Sequence, residues 1–165
     1  ALDVSPSMLR QLEATAAADG LENVTLVEAD IRRVPLSSRS VDVVVSCYAF
    51  HHLSDDGKEL AAAEVMRVLR PGGRLVIADM MFALTLEPRD RKIVLQKIWL
   101  VARKGPAGIV RLARNAARIA TGRWEQPASL EWWRSMLARR GFEQVDVRPA
   151  INEAGVASGY RPVGE

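Results

Sequence analysis

Cysteine is nearly absent from this sequence: Cys47 is the only one. A single thiol cannot close a disulfide within one chain, so a cystine framework is excluded and a cytoplasmic setting is the expectation. Histidine is confined to the adjacent pair His51 and His52. With so few nitrogen and sulfur ligands, no metal site is expected. No apolar run is long enough to span a bilayer, and the first residues do not read as a secretory leader. Repeats, low-complexity tracts and a second domain are lacking too.

Acid is missing from one stretch in particular. Between Arg89 and Arg123 the sole carboxylate is Asp90, against Arg89, Arg91, Lys92, Lys97, Arg103, Lys104, Arg111, Arg114, Arg118 and Arg123. The net charge of +3 is therefore local in origin, and a nucleic-acid footprint over the whole protein is not expected.

What remains is an ordinary globular composition, with 48% hydrophobic and 26% charged residues in 165, enough for one domain over 1–165. Ala1 to Val4 reads as the tail of a strand. Ser5 then caps a helix that has Pro6 at its first position, where a missing N–H costs nothing. Leu9, Leu12 and Ala16 give the helix an apolar face, and Gly20 ends it. Asn23–Glu28 and Val41–Tyr48 are β-rich; the consecutive valines of the second suit a parallel strand covered on both faces. A helix from about Asp56 presents Ala61, Val65, Val68 and Leu69. Pro71-Gly72-Gly73 stops it, and Arg74–Asp79 is the next strand. Helices are expected near Arg89–Lys104 and Ile109–Thr121, separated by Gly105-Pro106. A last helix is capped by Ser129, with Leu130, Trp133, Met136 and Leu137 inward. FEQVDVRP and GVASGYRP follow, joined around Asn152-Glu153-Ala154 by too few residues for a crossover, so they must pair antiparallel. The fold class is α/β: a doubly wound, mostly parallel sheet with an antiparallel C-terminal strand.

In open α/β sheets the ligand lies beyond the carboxyl ends of the strands. Four segments end there: Asp3-Val4, Ala29-Asp30-Ile31, Ser46-Cys47-Tyr48 and Asp79-Met80. A carboxylate at Asp3 can accept two hydrogen bonds from a vicinal diol, or it can help cap the helix. Asp30 can accept from an exocyclic amine, or serve as a water-satisfied loop aspartate.

DVSPSML, EADIRRVPL, VDVVVSCYAFHHL and EVMRVLRPGGRLVIAD occur in that order. Together they resemble the successive motifs of the class I S-adenosylmethionine-dependent methyltransferases, closely over 1–82 and in outline over 129–161. The resemblance implies that S-adenosylmethionine is the cofactor. Asp3 would hold its ribose, Val4 and Met8 would pack by the adenine, Asp30 would take the adenine amine and Ile31 the ring. Ser46 and Cys47 would bind beside the cofactor and along the methyl-transfer path. The family pattern also places a strand, a Gly-rich loop and a helix ahead of the residue matching Asp3. None precedes it in this sequence, so a fold incomplete at its leading edge, and weak cofactor binding by these residues alone, are the expectations.

Methyl transfer is a displacement, in which placing the nucleophile supplies much of the rate. His51 is the candidate general base, with loop packing as its other reading. Tyr48, His51 and Trp99 are candidates for binding substrate. No Asn-Pro-Pro-Tyr type sequence follows the Val41–Tyr48 strand, which counts against base or amide nitrogen as acceptor. The segment 82–128 is expected to form a helical lid over a pocket for a small-molecule acceptor. Its basic face is either a solvated surface or a site for an acidic substrate or an anionic membrane. A module that keeps the sheet without binding cofactor is the alternative function. A nicotinamide oxidoreductase is a third, disfavoured by the terminal antiparallel pair.

Overall fold

The computed structural model describes residues 1–83, 88–107, 110, 114 and 125–164. Strand β1 (Leu2–Asp3) leads into α1 (Pro6–Ala18) and returns to β2 (Val27–Glu28). β1 and β2 pair in parallel, Leu2 with Val27 and Asp3 with Glu28. The β-rich run from Asn23 thus contributes only its last two residues to a strand. In α1, Leu9 and Ala16 are buried, whereas Leu12 stays 37% exposed. Ser5 stands at the cap position, but its side chain bonds Ser7 rather than a backbone N–H.

The second sheet contains β3 (Val41–Cys47), β4 (Leu69–Met80), β5 (Glu143–Pro149) and β6 (Ala154–Tyr160) in the order β3-β4-β6-β5. β3 runs parallel to β4, while β6 runs antiparallel to both β4 and β5. The hairpin required by the short Asn152-Glu153-Ala154 connection is present. Its last strand is inserted between β4 and β5.

Helix α2 (Asp55–Val68) begins at Ser54, whose hydroxyl accepts from the Gly57 N–H. It does not reach Leu69, which opens β4 and is fully buried. Pro71-Gly72-Gly73 therefore lies inside the strand span as a bulge: Val41 pairs with Leu69, yet Val43 pairs with Arg74. Gly72 takes a φ of +76, open to glycine at little cost. A Cβ on Gly73 would come within 2.8 Å of the Arg70 carbonyl oxygen and 2.9 Å of that of Asp42, so the bulge requires glycine there.

Leu75, Ile77 and Met81 point to one face of the sheet. There they pack with Ala61, Ala62 and Val65 of α2 and with Trp133, Met136 and Leu137 of α4 (Leu130–Arg139). Each fully buried aliphatic side chain contributes about 1.5–3 kcal/mol, so this layer is the main source of stability. The opposite face departs from expectation. Val43 is 52% and Val45 70% exposed, so the valine run of β3 is covered on one face only. Among the described residues, β3 also has no strand partner on its outer edge.

Helix α3 (Pro88–Ala102) follows the end of β4. Its Ile93 packs with Met80 and Phe82, and Val94 joins them. The rest of its apolar surface is not buried: Leu95, Trp99 and Leu100 are 58% exposed and Ile98 45%. Described neighbours cover only Ile93 and Val94 near its start; Leu100, two turns on along the Ile93 side, is as exposed as the opposite strip of Leu95, Ile98 and Trp99. The expected helix Ile109–Thr121, with Arg111 and Arg118, falls almost wholly outside the described residues; Arg114 is described and exposed. No helix among the described residues is long and apolar enough to cross a membrane.

Candidate functional site

The strand ends gather the sequence-predicted residues in two groups. The first lies at the carboxyl ends of β1 and β2. Asp3 is half-buried, and its Oδ1 accepts from the Ser5 N–H at 2.8 Å. That bond closes a turn ahead of the helix, since Ser5 is the cap residue itself and not part of the first helical turn. Val4 (64%) and Met8 (52%) are exposed on the segment that follows β1. Asp30 follows β2. Arg32 grips it through Nε at 3.0 Å and through its backbone N–H at 2.8 Å. That pairing holds the Asp30 carboxyl below the usual range. Ile31, half-buried, packs on the main core, and Arg32 approaches Gly57 of α2. The β2 loop is thereby tied to the larger sheet.

The second group lies at the ends of β3 and β4. Ser46 is half-buried and Cys47 exposed. Tyr48 leaves the strand with φ +51, a left-handed conformation that a bulky residue holds only at a cost. Its ring stays half-exposed, edge-on to His51 at 6.1 Å. Partial desolvation, and then the negative charge of Glu153, push the Tyr48 hydroxyl above its ordinary pKa. A 3₁₀ turn, Phe50–His52, folds back over the end of β4.

Asp79 is the centre of that turn, and it is fully buried. Its Oδ2 accepts the backbone N–H groups of Ala49 (3.1 Å), Phe50 (2.7 Å) and His51 (3.3 Å). Its Oδ1 accepts the Met80 N–H at 2.7 Å and meets His51 Nδ1 at 2.6 Å. An ionised carboxylate only accepts, so Nδ1 must carry the proton. In neutral His51 the other nitrogen, Nε2, is then the acceptor. His51 itself is buried, with His52 exposed beside it at 4.0 Å between ring centroids. The Gln126 N–H also bonds the His51 carbonyl at 2.7 Å.

Sequence reasoning had placed Asp79 at a strand end without giving it a role. The signal was available: an acid ending one strand and a histidine just past its parallel neighbour must meet at the sheet's edge. Trp99, on α3, meets the Arg103 guanidinium 4.5 Å from its ring centroid and borders a shallow depression with Leu95, Gln96, Ile98 and Ala102. Among the described residues no cluster of three potential ligands could hold a metal.

Residues 1–73 match the model of the methyltransferase domain family. An uncharacterised methyltransferase of Anoxybacillus flavithermus is 42% identical over 66 residues, covering 40% of this chain and 31% of that protein. The chain thus spans well under two thirds of that relative. Solved structures share the fold. The S-adenosylmethionine-dependent methyltransferase SibL superposes with a TM-score of 0.64 at 21% identity, over 98% of this chain and 42% of its own. PigF, solved with SAH, gives 0.62 at 12% identity, over 97% and 42%. The resemblance read from the motifs extends to both sequence and fold. The chain is similar to class I methyltransferases over its first 73 residues, and its fold is the Rossmann-like one of those enzymes.

Proposed function

We propose that the protein to which this chain belongs is a cytoplasmic enzyme that transfers a methyl group from S-adenosylmethionine to a small-molecule acceptor. The observation that carries this reading is the first group of residues. Asp3 ends β1 and Asp30 stands two residues past the end of its parallel neighbour β2, with exposed apolar side chains at Val4 and Met8 just after β1. That set fits an adenosine: carboxylates that accept from the ribose hydroxyls and the amine, and apolar side chains for the ring. Asp3 would hold the ribose, Asp30 and Ile31 the adenine, and Ser46 and Cys47 would line the route to the acceptor. When bound, the cofactor supplies an electrophilic methyl carbon on sulfur.

The chain's own residues do the rest. Tyr48 orients the acceptor, and His51, with Nε2 unprotonated, receives the acceptor's proton. General bases of this kind supply about 10²–10⁴ in rate. Placement in line supplies the larger share. Helix α3, emerging past β4, is read as part of a lid that keeps water from the mouth of the site.

The test is calorimetry with S-adenosylhomocysteine on the full-length protein and its Asp3→Ala variant. Removing the charge-assisted bonds should weaken binding by about 1.5–3 kcal/mol, or roughly 10- to 150-fold. Equal affinity in the two proteins would leave Asp3 only its local bond to the Ser5 N–H. No binding by either would favour a module without cofactor.

A further inference from the structure

The outward strip of α3 is not explained by methyl transfer. Leu95, Ile98 and Trp99 lie at helical spacing and are exposed, on the side away from Ile93 and its contact with Met80 and Phe82. Arg91, Lys92 and Arg103 are exposed at helical spacing beside them, and no acid interrupts residues 91–104. Arg103 stacks on Trp99, which holds a cation at the rim of the apolar strip. We infer that this face of α3 docks onto an anionic lipid surface, with the helix lying in the plane of the interface.

The pattern decides between occupants. A second copy seated face to face would set like charges against one another. A neutral apolar partner would leave the cations unanswered. A bilayer of anionic lipid meets both demands, hydrocarbon for the strip and phosphate or carboxylate for its rim. Tryptophan and arginine also suit the boundary between the two. The docking does not depend on the methyl-transfer reading, since it concerns a surface and not the strand ends.

Co-sedimentation of the full-length protein with extruded vesicles tests it. Vesicles of phosphatidylcholine with about one third phosphatidylserine should pull the protein down at 0.1 M salt, and pure phosphatidylcholine should not. Binding should fade by 0.5 M salt as surface charge is screened. Each of Arg91→Gln, Lys92→Gln and Arg103→Gln should weaken partition about fivefold. Leu95→Ser with Trp99→Ser should weaken it at least tenfold, with thermal melting confirming that the fold is kept. Arg10→Gln and Arg148→Gln, exposed cations far from α3 in sequence, should leave it unchanged. Equal binding by the α3 variants and the wild type would overturn the inference. So would a dimer, seen by light scattering, that Trp99→Ser dissolves while vesicles capture nothing.

Discussion

Asp79 shows how one side chain can set both stability and chemistry. It gathers four backbone N–H groups and an imidazole in a dry place. Asp79→Ala would orphan those donors, and removing one side of such a buried set costs about 3–5 kcal/mol. Urea unfolding of the variant should report a loss of that size, and a change under about 1 kcal/mol would mean that the turn re-satisfies itself. Asp79→Asn is the subtler probe, because its amide cannot accept from every donor at once. Long-range ¹H–¹⁵N spectra, assigned with His52→Gln, should show neutral His51 protonated at Nδ1 in the wild type and lose that preference in Asp79→Asn. A wild-type His51 protonated at Nε2 would remove it as the proposed base. None of this is written in any residue alone. His51 and Asp79 are 28 apart in sequence, and only the parallel pairing of β3 with β4 makes them neighbours.

At the scale of elements, charge does the joining that apolar packing does elsewhere. Glu64 on α2 bonds Arg67 at 2.9 Å and also accepts the Val34 N–H at 2.9 Å. Arg67 reaches on to the carbonyls of Val34 and Leu36, each at 2.8 Å. The loop after β2 is thus pinned to the helix below it. The Arg67 side chain first, and the Val34 N–H as well, hold the Glu64 carboxyl below the usual glutamate range. Its folded pKa lies below its unfolded one, so its stabilisation is complete above the unfolded value near 4.3 and is lost as pH falls through the lower folded value. Glu64→Gln should therefore be less stable than wild type by about 1–2 kcal/mol at pH 7. The difference should shrink toward zero below pH of about 4 in urea titrations at stepped pH. A difference that does not change with pH would show that Glu64 acts by packing. Periodicity marked α2 and its buried face but not this clip, since a glutamate and an arginine three residues apart look like any solvated helix pair. The start of β4 was misplaced for a related reason. Pro-Gly-Gly signals a break in helix, and nothing local says that the strand has already begun before it.

For the whole molecule, the motifs gave the order of strands in chain and the antiparallel end, because Val, Ile and Gly patterns are local. They did not give the surface left bare on β3, nor the outward face of α3, because exposure depends on which elements meet. The join between α3 and the sheet is the clearest case. Arg89 donates to the Met81 carbonyl at 2.6 Å and to that of Ala154 at 3.1 Å. One guanidinium thereby ties the start of the helix to the end of β4 and the start of β6. The Ala83 N–H bonds Asp90 at 3.2 Å, and Ile93 adds a small apolar seam with Met80 and Phe82. Among the described residues this seam is too small to hold a helix of 15 residues by itself, and the polar clamp should decide whether it stays docked. Arg89→Ala removes those two hydrogen bonds and a longer one to the Asn152 carbonyl at 3.5 Å, and a hydrogen bond from a charged donor is worth about 1.5–3 kcal/mol. Opening of the helix should become at least tenfold more frequent, while the sheet, held by its own core, should not loosen. Hydrogen exchange read by mass spectrometry can separate the two. Amides of 88–102 should exchange at least tenfold faster in the variant, with those of β4 and β6 unchanged. If β4 and β6 speed up equally, the clamp belongs to the global fold and α3 is not an independently opening lid. If 88–102 does not change, the apolar seam alone holds the helix in place.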